Sequence, residues 1–124
     1  MKRSMTATLA GEEIELVATF GAASEIEKKV GDPMAITREI ALSGMMEAGN
    51  VAYDPKWKYT IHNLPVIIHT GMKAGGDKRT LEQVQELVFD AGFYNVRDVA
   101  NDYLALLVAP QAEEEMPGEA ASGE

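Results

Sequence analysis

Cysteine is absent from the 124 residues, which excludes a disulfide framework and thiolate chemistry and suits a reducing cytoplasm. Aromatic residues make up only 6%, so a core here has to be built from Ile, Leu, Val, Ala and Met. No apolar run approaches the ~20 residues that a membrane-spanning helix requires. The opening Met1-Lys2-Arg3-Ser4-Met5-Thr6 is basic, but no apolar stretch of signal-peptide length follows it. The expectation is therefore a protein that stays soluble in the cytoplasm where it is made. Positive charge is also in deficit, with 11 Lys and Arg against 20 Asp and Glu and a net charge of -9. The segment after Pro110 carries Glu113, Glu114, Glu115, Glu119 and Glu124 with no Lys or Arg, so the body is left only mildly acidic. An acidic body repels phosphate backbones, which disfavours nucleic acid as a partner, and Lys73, Lys78 and Arg79 form only a weak basic patch.

What is present is 46% hydrophobic and 25% charged residues, an ordinary mixture for a folding chain. Residues 1–110 read as a single domain with one modest core, and residues 111–124 as a disordered acidic tail too poor in large apolar groups to offset ordering entropy. The chain is organised around residues 19–31. Thr19 is placed to cap a first helix and Gly31 to close it, and Phe20, Ala23, Ile26 and Val30 recur at three- and four-residue steps along one face. Before it, alternation of Met5, Ala7 and Leu9 and then of Ile14, Leu16 and Ala18 predicts a β-hairpin, with Ala10-Gly11-Glu12 as the turn and Glu13, Glu15 and Val17 on its polar side. Asp32-Pro33 restarts a second helix that ends at Gly44 or at Gly49. Asp54-Pro55 breaks the chain, and Trp57 and Tyr59 are expected to fold back as anchors. Asn63-Leu64-Pro65 opens a third helix, central and closed by Gly75-Gly76. Thr80-Leu81-Glu82-Gln83 is a capping box for a fourth that stops at Gly92, and Asn95-Val96-Arg97-Asp98 opens a fifth that runs to Pro110. The fold class is α+β, mostly α: an N-terminal hairpin packed on four to five short helices.

No catalytic, cofactor or metal constellation emerges. His62 and His69 are seven residues apart, roughly 10 Å along a helix, with no third ligand at metal spacing. Glu12, Glu13, Glu15, Glu25 and Glu27 pattern as a solvated face rather than as an acid and base pair. Gly71 to Lys78 is glycine-rich, yet it lacks the Gly-Lys-Ser/Thr ending of a phosphate loop and closes a helix instead of opening one. The chain does not read as an enzyme. Seven methionines either fill gaps in a Phe-poor core or form an adaptable surface for apolar partner segments. On the second reading the candidate partner-binding residues are Met34, Met45, Met46, Trp57 and Met72.

The hairpin ending in Thr19-Phe20-Gly21-Ala22, the Glu25-Ile26-Glu27 and Gly31 pattern, Ala74-Gly75, and the blocks at 84–92 and 99–108 together resemble the phage tail assembly chaperones. The similarity is to the small proteins encoded beside the tail genes of gene transfer agents and related long-tailed phages, and it spans residues 6–108. The resemblance implies a non-enzymatic helper in the bacterial host cytoplasm that binds the tape measure protein, with the tail tube protein as a second candidate partner, and keeps its client soluble during tail morphogenesis. It leaves open a structural tail component retained in the particle and a homo-oligomer, and the charge balance leaves open an acidic regulator or nucleic-acid mimic. The aromatic segment 50–59 and the acidic tail are not part of the shared pattern.

Overall fold

Two seven-residue strands, β1 (Arg3–Leu9) and β2 (Glu12–Ala18), open the chain as an antiparallel pair in which Leu9 faces Glu12 and Arg3 faces Ala18. The connection is only Ala10-Gly11, one residue shorter than expected. Both residues have positive φ, 53° and 79°, as a type I′ hairpin turn demands. Ala10 takes this conformation at a cost of roughly 1–2 kcal/mol that Gly11 does not incur. The computed structural model describes residues 3–109. The acidic tail expected from Gln111 onward lies outside the described residues.

Five helices follow: α1 (Phe20–Lys29), α2 (Pro33–Ala48), α3 (Asn63–Ala74), α4 (Leu81–Ala91) and α5 (Phe93–Val108). The α+β, mostly α architecture is as the residue pattern predicts. Local capping chemistry explains most of the boundaries. Thr19 Oγ1 accepts the Ala22 amide at 2.9 Å, Asp32 Oδ1 accepts the Met34 amide at 3.0 Å ahead of Pro33, and Thr80 and Gln83 form both bonds of the capping box. The second helix passes through Gly44 and ends at Gly49. A Cβ at Gly44 would meet nothing within 4 Å, so this glycine answers no packing demand, and Met45 to Ala48 are good enough helix formers to carry the helix on. The fifth helix is capped three residues earlier than predicted, at Gly92 instead of Asn95. Gly92, at φ 95°, serves as the last cap of α4 and the first of α5. Asn95 therefore lies inside the first turn, and its Nδ2 donates to the Ala91 carbonyl at 2.9 Å, satisfying the end of α4 instead of the start of α5.

The central helix is α3, whose Leu64, Pro65, Ile67, Ile68, Thr70, Gly71 and Met72 are all buried. The inner face of the hairpin, Leu9, Ile14 and Leu16, lies on this helix and its neighbours. Ile26 from α1, Ile36 from α2, Val84 and Val88 from α4, and Val96, Ala100, Tyr103 and Leu104 from α5 complete one contiguous core. Close approach of hairpin and α3 depends on glycine. A Cβ on Gly71 would come within 2.9 Å of Tyr103 Cζ and 3.0 Å of Leu16 Cδ2.

Two side chains depart from the sequence pattern. Val17, expected on the polar side of the hairpin, is buried because the end of α3 packs on it at Gly75. Phe20, expected on the inner face of the first helix, is 89% exposed, and the buried stripe of α1 is Ala22 and Ile26. As the residue immediately after the cap, Phe20 leans over the turn preceding its own Cα, away from the core.

Candidate protein-docking site

The second helix is the least enclosed element of the fold. Of its sixteen residues only Pro33 and Ile36 are buried, with Ile40 packed partly against the core. Gly31, at φ 149°, sets the corner between α1 and α2, and Ile36 Cδ1 and the Trp57 indole close over it. That corner brings the first turn of α2 beside Phe20 and the last turn of α5. The result is a groove of about 400 Å³ floored by Phe20, Ala23, Pro33, Met34, Leu107 and Val108, with Ser24, Glu27 and Asp32 at its polar margin. Met34 is 67% exposed and Met45 is 68% exposed. Eleven residues of helix separate them, which places both on one face about 16 Å apart.

The opposite flank of α2 is closed by the 50–62 segment. The Tyr53 hydroxyl donates to Glu39 Oε1 at 2.8 Å and the Lys56 amide donates to the same oxygen at 3.0 Å; these two bonds, in that order of effect, hold the Glu39 carboxyl below its ordinary range. Trp57 Nε1 donates to the Val30 carbonyl at 3.3 Å, its ring meets Tyr59 edge-on at 4.9 Å, and the Tyr59 hydroxyl donates to Asn101 at 2.6 Å. Burial pushes the Tyr59 phenol pKa up, so the group remains a neutral donor. The expected anchoring of Trp57 and Tyr59 against the core is present in the fold.

The five candidate partner-binding residues thus separate. Met34 and Met45 stand on the open face of α2. Met46 is partly buried, and half-buried Trp57 is engaged in pinning the 50–62 segment. Met72 is 1% exposed and belongs to the core. It stands one turn beyond Ile68 on the central helix, under the hairpin, where its flexible side chain fills space and cannot meet a partner. Residue type alone did not point to Phe20. A second apolar surface lies around an opening of about 430 Å³ lined by Ile61, Leu64, Phe93 and Tyr94, with Arg97 stacked 5.1 Å from the Tyr94 ring and exposed Phe89 meeting Phe93 edge-on beside it. The available signal was Phe89, which lies outside the stripe of Leu81, Val84, Leu87 and Val88.

Charged groups are committed to structure elsewhere. Glu25 accepts from Lys29 and Lys73, each at 2.8 Å, and these two partners draw its pKa down to about 2. Arg79 pairs with Glu12 and reaches Asp77. Among the described residues no three His, Asp or Glu side chains are grouped to hold a metal ion, and His69 Nε2 lies 3.0 Å from the Arg79 carbonyl oxygen. No helix among the described residues is long and apolar enough to cross a membrane. Comparison with known proteins finds no matching family model, no matching curated protein and no matching solved structure.

Proposed function

We propose that this protein is a tail assembly chaperone acting in the bacterial host cytoplasm, a non-enzymatic holder of the tape measure protein. The observation that carries this reading is the open face of α2, where Met34 borders the Phe20 groove and Met45 projects to solvent further along the same helix. Unbranched, polarizable thioethers adapt to varied apolar ridges, so a face of this kind suits successive amphipathic helices of a long client. Each contact would be weak, and repetition along the client would supply the holding power without trapping it. The resemblance to the tail assembly chaperones implies the client class, and an exposed apolar face of this kind supports the reading.

The test is solubility of the tape measure protein encoded with this chain. Mixed with the protein, it stays in the supernatant under conditions in which it precipitates alone, and the paired substitution Met34→Asp with Met45→Asp abolishes that protection while leaving the melting temperature of the protein itself unchanged. A precipitated fraction that is the same with and without the protein refutes the reading. So does recovery of the protein as a stoichiometric component of finished particles.

A further inference from the structure

Backbone accounting in the hairpin leaves one edge open. The Ala10-Gly11 turn makes Leu9 and Glu12 its closing hydrogen-bonded pair. Hydrogen-bonded and non-bonded pairs alternate from there, so Arg3, Met5, Ala7 and Leu9 direct their N–H and C=O groups at β2, and Ser4, Thr6 and Thr8 direct theirs away from it. On β2 the outward groups belong to Glu13, Glu15 and Val17. That edge is engaged at its Val17 end, where the carbonyl accepts the Tyr103 hydroxyl at 2.7 Å and α3 packs at Gly75, and the rest of it carries the charged Glu13 and Glu15. On β1 no group among the described residues meets the outward N–H and C=O groups of Ser4, Thr6 and Thr8, and all three residues are exposed. Open edges are normally guarded by proline, a bulge or charge. From Ser4 to Leu9 this strand has none of them.

The geometry points to a second copy of this chain as the occupant, its β1 laid antiparallel on β1 about a two-fold axis through Thr6. The strand is complementary to itself in that register. Thr6 faces Thr6, and Ser4 faces Thr8, so every outward pair is Ser or Thr against Thr, a favourable cross-strand combination, and no like charges meet. On the inner face Met5 falls opposite Ala7. Both are only partly buried, so the apolar layers of the two copies run into one another. The β2 edge offers no such match, because Glu13 and Glu15 would bring carboxylates together. The contact is isologous and closes on itself: the four-stranded sheet β2-β1-β1-β2 ends on both sides at a β2 edge guarded by the exposed carboxylates of Glu13 and Glu15 and by the Tyr103 bond at Val17, which oppose growth into a filament.

Amide hydrogen exchange and sedimentation of the full chain test this pairing independently of any client. The expected result is a mass that doubles with concentration, with the Thr6 and Thr8 amides protected in the dimer and losing that protection on dilution, while Met5 and Ala7 stay protected throughout. Thr6→Pro removes only an outward N–H, a change that edge positions tolerate. Thr6→Lys sets two ammonium groups against each other at the axis. Each variant should remain folded by circular dichroism and sediment as a monomer, and Thr6→Lys carries the test if the proline variant fails to fold. A monomer at every concentration overturns the proposal, and so does a dimer that survives Thr6→Lys. Edge protection that appears only when the tape measure protein is added also overturns it, since the edge would then receive a strand of the client.

Discussion

Replacing Gly71 by alanine should destabilise the protein, although alanine is the better helix former. At an exposed helical site the change is worth about 0.8–1 kcal/mol in favour of alanine. At Gly71 the new methyl would stand 2.9 Å from Tyr103 Cζ and 3.0 and 3.2 Å from two atoms of Leu16. These neighbours have little freedom to yield: Leu16 is fully buried between hairpin and helix, and Tyr103 is held by its bond to the Val17 carbonyl. Overpacking of this kind costs typically 1–3 kcal/mol, and straining the tyrosine bond costs about 1 more. The propensity gain cancels roughly one of these, leaving a net loss of about 1–3 kcal/mol. Gly44→Ala is the internal control, since a Cβ there meets nothing and the full propensity gain of about 1 kcal/mol should appear. Urea unfolding at constant slope reads both, with midpoints moving in opposite directions, on the order of 1 M apart or more for a slope of 1–3 kcal/mol per M. A Gly71→Ala protein as stable as wild type would refute the close-approach reasoning.

Two further outcomes follow from electrostatics. Because Lys29 and Lys73 lower the folded pKa of Glu25 from 4.5 to about 2, its contribution is complete above the unfolded value and disappears as pH falls through the folded one. Glu25→Gln should therefore cost about 1 kcal/mol near neutrality, the scale of two partly exposed ion pairs. The gap from wild type should close between about pH 4.5 and 2, and pH-dependent urea midpoints that run parallel throughout would contradict this assignment. Arg3 Nη1 donates to the carbonyls of Leu106 and Ala109 at 2.9 and 2.6 Å. Arg3→Ala should cost about 1–2 kcal/mol through lost charge-assisted bonds at a helix C-terminus. It should speed hydrogen exchange in the last turn of α5 while leaving α3 unchanged.

Local chemistry was legible in the chain wherever the signal and its partner lie within a few residues. Thr19, the Asp32-Pro33 pair and the Thr80 to Gln83 box each fix a helix start through bonds to their own first turn, and each appears where the residues place it. The unread features depend on distant partners. Val17 is buried only because α3 ends against it, Met72 is enclosed only because α3 runs under the hairpin, and Asn95 turns back because only Gly92 separates the end of α4 from the start of α5. The same holds for the docking face. Methionines on α2 could be noted from composition, but the groove exists because Phe20 points outward and the end of α5 comes to rest beside it.

The Arg3 bridge to Ala109 also settles how this protein should be handled at the bench. It brings the first and last described residues to the same corner, next to the Phe20 groove. A fluorophore placed at Arg3 or at Ala109 would hang over that groove and compete with whatever enters it. In a version of the chain limited to residues 3–109, a short linker would join Arg3 to Ala109 there, with new termini opened at the exposed Gly76 turn. A circular permutant of that design would present the α2 face unobstructed, and a label could then sit on the far side of the molecule.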